Sequence, residues 1–175
     1  GLRLATRRPE LRVAIVEAES RIGGDHVWSS LDIDMTPAQR EWTATLYAAR
    51  WPRYDVRFPA LSRTLNHGYA SARSANLDAA VRAAMPADRL LLGRKVRSLD
   101  ATGVTLESGE RLGAHVVIDG RGHAPTTALE LAWQKFVGLE IETLRPHGME
   151  APLIMDATVD QAEGYRFVYV LPWDE

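Results

Sequence analysis

An α/β fold is what the sequence predicts: a parallel βα unit in the first part of the chain, followed by a β-rich remainder. Three observations predict it. Residues 11–17, Leu-Arg-Val-Ala-Ile-Val-Glu, form a near-continuous apolar run that ends in a carboxylate, the pattern of a strand covered on both faces. Gly23-Gly24 then opens a loop, where glycine lets the backbone take positive φ or approach a ligand closely. Further on, short apolar segments are separated by the turn pairs Thr102-Gly103 and Ser108-Gly109, which predicts a meander.

Each element has its own local reason. Leu2, Leu4 and Ala5 give a short helical stripe that Pro9 stops. Thr36-Pro37-Ala38-Gln39 is a helix start, with Thr36 as cap, Pro37 in the first turn and Gln39 at the capping-box position. That helix is expected to reach about Ala49, with Pro52 closing it. Residues 54–58 alternate as a strand. Asn76 is placed to cap a second helix across Leu77, Ala80, Val81 and Ala84, ending before Pro86. Strands are expected near 90–92, 95–99, 104–107, 110–112 and 116–119. Residues 131–144, 153–155 and 165–171 are also strand-like, with Gly164 in a turn. The order is a βα unit, a helical and strand excursion near 36–75, a meander, a strand ending in Asp-Gly, and a second sheet. That layout resembles the two-domain flavoproteins related to glutathione reductase, with a division at 1–127 and 128–175.

Composition narrows the function classes. The chain has 175 residues, 46% hydrophobic and 25% charged, with a formal charge of −2. Nothing in that balance points to nucleic acid as a partner. With no cysteine, disulfides, thiolate chemistry and Cys-ligated metal sites are excluded, in keeping with a reducing cytoplasm. No apolar run is long enough to cross a bilayer, which leaves peripheral membrane contact open. The start on Gly1 and the stop after Pro172-Trp173-Asp174-Glu175 are read as those of a fragment, with a first strand and a G-x-G-x-x-G turn expected upstream.

Four stretches carry possible chemistry. Glu17 ends the buried strand, where the acid of a dinucleotide-binding unit accepts hydrogen bonds from ribose hydroxyls; Glu19 is the nearby alternative, and a solvated strand-end acid is the plain reading. Gly23-Gly24-Asp25-His26-Val27-Trp28 puts an imidazole and an indole just past the nucleotide strand. On residue types alone, a Gly-Gly loop whose Trp28 packs on the core is favoured. Asp119-Gly120-Arg121-Gly122 follows an apolar run and would set a carboxylate and open N–H groups at the carboxyl edge of a sheet, or is simply a strand and a tight turn. Asp156 and Asp160 lie beside Tyr165, Phe167 and Tyr169, which share one face of a strand. They suit an apolar substrate channel in which carboxylates supply protons or stabilise cations, and equally an ordinary amphipathic strand with turn-forming Asp. His67, His115 and His147 show no metal-ligand spacing, no metal site is expected, and neither G-x-S-x-G nor H-E-x-x-H occurs.

Together these stretches resemble the bacterial lycopene β-cyclase family along essentially the whole chain. The resemblance is carried by Gly23 to Trp28, by Trp51-Pro52-x-Tyr54-x-Val56-Arg57-Phe58-Pro59, by Gly68-Tyr69 and by Val117 to Gly122. Gln134 to Gly138, Pro146-His147-Gly148, and Ile154 to Gln161 continuing through Gly164 to Tyr169 and Leu171-Pro172 complete it. The resemblance implies an FAD/NAD(P)-binding Rossmann-like domain of the glutathione-reductase type, lacking its first strand, with part of a β-rich substrate domain. It implies an enzyme of carotenoid synthesis that cyclises the ψ ends of lycopene, giving γ- and then β-carotene. The flavin is required reduced, with NAD(P)H as reductant, and no net electrons pass to substrate.

Carried over residue by residue, the resemblance makes Glu17 the ribose ligand and sets Gly23, Gly24, Asp119, Gly120 and Gly122 beside the flavin. His26 and Trp28 fall on the substrate side, and Asp156 and Asp160 are the catalytic candidates. The family's proposed proton donor would lie just past Glu175, which is itself too close to Pro172 for that role. Lycopene and γ-carotene are the implied ligands, and the implied setting is the bacterial cytoplasm with peripheral membrane contact. As a fragment, the chain is expected to be inactive and to hold FAD weakly. The alternatives are a redox flavoprotein (a hydroxylase or polyprenyl reductase), which does not account for residues 155–169, and a non-catalytic polypeptide.

Overall fold

The computed structural model describes residues 1–122, 126–132 and 134–174. They form a mixed α/β chain with several small sheets, in two compact units: Gly1–Lys95 with His147–Glu175, and Val96–Pro146.

In the first unit, helix α1 (Leu2–Arg7) forms as its apolar stripe predicts. The following strand is much shorter than the apolar run: β1 covers only Ile15–Val16. Among the described residues β1 pairs with one neighbour, in parallel, with Ile15 opposite Leu90 and Val16 opposite Leu91 of β7 (Leu90–Leu91). A strand with one partner satisfies half its backbone groups and is half covered, so residues 11–14 stay outside the ladder. The pairing does run past the two strands: Glu17 N–H donates to Leu91 O at 3.0 Å, Arg94 N–H to Glu17 O at 2.9 Å and Gly93 N–H to Glu19 O at 2.9 Å.

Strand β2 (Val27–Leu31) leads to helix α2 (Pro37–Thr43). The capping box at its start is formed: Gln39 N–H donates to Thr36 Oγ1 at 3.3 Å and Thr36 N–H to Gln39 Oε1 at 2.8 Å. The helix stops well short of Ala49. A 3₁₀ turn covers Ala44–Leu46, Ala48 N–H donates to Ser71 O at 2.8 Å, and strand β3 (Ala49–Trp51) joins a sheet. Cross-strand pairing there outcompetes helix propagation. Strand β4 (Tyr54–Phe58) matches the alternating pattern, and β5 (Leu61–Leu65) returns from it as a hairpin. Strand β6 (Tyr69–Arg73) sits between β2 and β3, antiparallel to both. Its Ala70, Ser71 and Ala72 are buried, because a central strand covered on both faces has room only for small side chains.

Helix α3 runs Ser74–Ala84 directly out of β6, with Arg73 at the N-cap. The expected cap, Asn76, is therefore inside the first turn. The reason is tertiary: β6 delivers the chain into helical geometry three residues earlier. Ile22, Val81 and Met85 are the buried centre of this unit, with Leu2, Ala5, Val13, Ile15, Leu77, Leu90 and Leu92 packed on them. Each fully buried aliphatic side chain there contributes roughly 1.5–3 kcal/mol.

The last strands of the unit are β11 (Leu153–Asp156) and β12 (Val168–Val170), which become numbers eleven and twelve once the meander between is counted. They extend the hairpin into a four-stranded sheet ordered β12-β11-β4-β5, with β11 parallel to β4 and antiparallel to β12.

The second unit holds that meander: β8 (Val96–Asp100), β9 (Gly103–Leu106) and β10 (Arg111–Gly113), antiparallel in sequence order. It forms as predicted, and Leu106 is buried within it. The strand expected at 116–119 is absent: Val116 and Ile118 are 75% and 80% exposed, because no neighbouring strand takes up their backbone groups. No strand forms among the described residues of 126–146 either, and Trp133 lies outside the described residues.

Candidate functional site

Glu17 stands at the carboxyl end of the parallel β1/β7 pair, where ligands of open α/β sheets bind. It is half-buried and Glu19 is exposed. Glu17 Oε1 accepts from Glu19 N–H at 3.0 Å, while its second oxygen has no hydrogen-bond partner among the described residues. A carboxylate oriented in this way, with one oxygen free, fits the donor hydroxyls of a ribose.

The Gly-Gly loop beyond it is tightly held. Gly23 has φ +91° and Gly24 φ +60°, conformations that L side chains rarely adopt. A Cβ on Gly23 would also stand 2.8 Å from Trp28 Cη2 and 3.3 Å from Leu77 Cδ2. The Trp28 ring thus folds back over Gly23 from the start of β2, 40% exposed and 5.8 Å from the His26 ring. Trp28 is not packed into the core, contrary to the plainer sequence reading.

What holds the loop is α3. His26 N–H donates to Ser74 Oγ at 2.7 Å, and the Ser74 hydroxyl is 2.8 Å from His26 O and 3.1 Å from Gly23 O, which share its proton. One turn on, Asp78 Oδ1 accepts from Ile22 N–H at 2.9 Å, and its other oxygen accepts from Arg82 Nε at 2.8 Å. Another turn on, Arg82 Nη2 donates to Ser20 O at 3.0 Å. Sequence reasoning missed all three. The available signal was their i, i+4, i+8 spacing, a polar stripe on a helix whose other side is apolar.

In the second unit, Asp119 turns onto its own loop. Its oxygens accept from Arg121 N–H at 3.1 Å, Nε at 2.8 Å and Nη2 at 2.8 Å, and this pairing lowers its pKa to about 2. Gly122 takes φ +85°. Gly120 is not at positive φ, and beyond its chain neighbours no atom of the described residues lies within 4 Å of where its Cβ would be. Among the described residues, packing makes no demand for glycine at 120.

The Asp156–Tyr169 stretch lies on the four-stranded sheet. β11 has two residues, Ile154 and Met155, between Leu153 and Asp156, where β4 and β12 each have one. This is a β-bulge, and Met155 takes φ +69° within it. Asp156 Oδ1 accepts from Thr158 Oγ1 at 2.6 Å and Thr158 N–H at 3.0 Å; these bonds hold its carboxyl below the ordinary carboxylate pKa. Asp160 is exposed and, among the described residues, accepts from Ala162 N–H alone, at 3.1 Å, in a turn. Gln161 closes the loop. Its Nε2 donates to the carbonyls of Ala157, Val159 and Arg166 at 3.1, 2.9 and 2.8 Å, and its Oε1 accepts from Arg166 N–H at 3.0 Å.

Strand register sorts the side chains of this sheet. Asp55 and Arg57 share a face with Val170 and Val168, so Tyr54, Val56 and Phe58 share the opposite face with Tyr169. The rings of Tyr165, Phe167 and Tyr169 follow one another at 5.5 and 5.1 Å. At the other end, Tyr69 is 5.8 Å from Tyr54 and 6.1 Å from Trp51, and Trp51 is 6.0 Å from Trp173. Burial raises the pKa of the Tyr69 hydroxyl. The result is an aromatic face drawn from three parts of the chain. Glu175 lies outside the described residues. Among the described residues no cluster of three His, Asp or Glu side chains suits a metal ion, and no helix is long and apolar enough to cross a membrane.

Comparison with known proteins defines the class. The lycopene cyclase protein family model matches residues 1–175. Lycopene beta-cyclase of Pantoea ananas is 43% identical over 98% of this chain, that of Pseudescherichia vulneris 42% over 97%, and that of Paracoccus sp. (strain N81106 / MBIC 01143) 44% over 99%. This chain belongs to the lycopene cyclase family. It spans 44–45% of the length of these curated relatives.

Proposed function

We propose that the complete protein is a lycopene β-cyclase, converting the ψ ends of lycopene to β-rings by way of γ-carotene to β-carotene. The observation that carries this is identity of 42–44% across nearly the whole chain to proteins of that name. The aromatic face of the β12-β11-β4-β5 sheet supports it, because lycopene is an uncharged hydrocarbon and the intermediates are carbocations, which ring faces stabilise.

In this reading residues 1–127 belong to a Rossmann-like FAD-binding domain of the glutathione-reductase type, and residues 128–175 begin a substrate domain. Glu17 holds the ribose of FAD, with Gly23, Gly24, Asp119, Gly120 and Gly122 bordering the cofactor. Bound FAD, kept reduced by NAD(P)H, supplies electron-rich stabilisation of positive charge with no net redox change. The reaction protonates a terminal alkene, closes the ring on the tertiary cation and loses a proton. Asp156, kept ionised by Thr158, suits the stabilisation of that cation or the final acceptance of a proton, and not the first donation. Asp160 is the second carboxylate near the aromatic strand, and His26 and Trp28 face the substrate. A substrate confined to lipid implies peripheral membrane contact from the bacterial cytoplasm.

Expression of the complete gene product in lycopene-accumulating bacteria tests the reading. β-Carotene is expected by pigment chromatography; unconverted lycopene with soluble protein present refutes it.

A further inference from the structure

We propose that Ser74 and Asp78 of α3 are positioning residues that set the shape of the Gly23–Trp28 loop, and through it the placement of His26 and Trp28. The loop cannot hold this shape by local propensity. Two successive residues at positive φ leave its N–H groups without the regular partners of a helix or strand. Four of the donors and acceptors so released, on Ile22, Gly23 and His26, meet side chains of α3. Ser74 acts as both donor and acceptor, closing a small ring with the His26 backbone that also includes Ser74 N–H to His26 O at 3.0 Å. Asp78, with its side chain 17% exposed, anchors the preceding residue. Arg82 neutralises Asp78 and ties down Ser20. The helix thus works as a template, and a loop some 50 residues earlier in the chain is cast on it.

The functional half of this proposal rests on the reading that His26 and Trp28 serve the reaction. The structural half is tested first, on residues 1–175, by amide hydrogen exchange. Ser74→Ala is expected to speed exchange of the His26 N–H by about tenfold while the Val81 and Leu106 amides keep their rates; an unchanged His26 rate overturns the proposal. In the complete gene product saturated with FAD, Ser74→Ala should lower kcat for lycopene by about tenfold with KM little changed, and Ser74→Thr should restore it.

Asp78→Asn, which keeps an acceptor for Ile22 but gives up the charge that holds Arg82, should cost about threefold and serves if Ser74→Ala does not fold. Unaltered kcat in both variants, beside a clear loss in His26→Ala or Trp28→Ala, overturns the positioning role alone. Unaltered kcat in His26→Ala and Trp28→Ala, in a preparation that still makes β-carotene, sinks the loop reading and the proposal with it.

Discussion

The carboxylate of Asp78 accepts from the Arg82 guanidinium and from Ile22 N–H, and these bonds lower its pKa from the ordinary 3.8. A group whose folded pKa is depressed contributes stability that is complete above its unfolded pKa and is lost as pH falls through the folded value. The contribution of Asp78 is therefore intact above about pH 4 and fades below it. Asp78→Ala should lower stability at neutral pH by about 1.5 kcal/mol and flatten this part of the acid limb, measured by urea unfolding between neutral pH and acid. An equal loss at every pH would show that the charge is not involved. At this scale the sequence was partly legible. Glu17 could be picked out because an apolar run stops just before it, and Gly23-Gly24 because glycine pairs mark unusual backbone. Ser74 and Asp78 showed only as part of a polar stripe and Gln161 not at all, since a polar residue on a helix or in a turn reads as solvated until its distant partner is known.

Helix α2 shows how far local rules reach. Thr36 and Gln39 satisfy each other's backbone N–H groups within four residues, so the start of the helix was legible. Thr36→Ala should cost about 1 kcal/mol, seen as faster exchange of the α2 amides while those of β6 are unaffected; unchanged exchange would show that tertiary contacts alone hold the helix. The end of α2 was not legible, because it is set where β6 claims residues 48–51 for a sheet. Strands β2 and β6 escaped notice for a related reason. Their Ser and Ala residues have little strand preference of their own, and they pair because each supplies the other with backbone partners. Conversely, residues 116–119 have the apolar content of a strand and form none, since pattern without a partner does not make a ladder.

Across the whole molecule, order follows the supply of partners. The first unit has a packed centre on Ile22, Val81 and Met85. In the second, the described residues beyond the meander expose large apolar side chains, with Phe136 69%, Val137 92% and Ile141 76% exposed. Segments with few buried contacts open at little free-energy cost. Brief trypsin digestion of residues 1–175 should therefore cut at Lys135, which is exposed, before Arg82 or Arg89 beside the core. Mass spectrometry of the early fragments checks this, and first cuts within α3 would contradict it. The aromatic face belongs to the same scale. Tyr54 and Tyr169 share a face because β11 inserts between β4 and β12, with the bulge at Met155 keeping Asp156 in register with Arg57.

The sequence by itself determined the mixed α/β class, the meander, the capping box, the glycine-bearing loop and, through motifs spread along 175 residues, the family. All of these depend on side chains within a few residues of one another or on identities read in order. Tertiary structure alone decided how long β1 is, where α2 stops, which side chains hold the Gly23–Trp28 loop, and which rings share a face. Those outcomes turn on backbone donors and acceptors finding partners far away in the chain, and local spacing does not encode where those partners are.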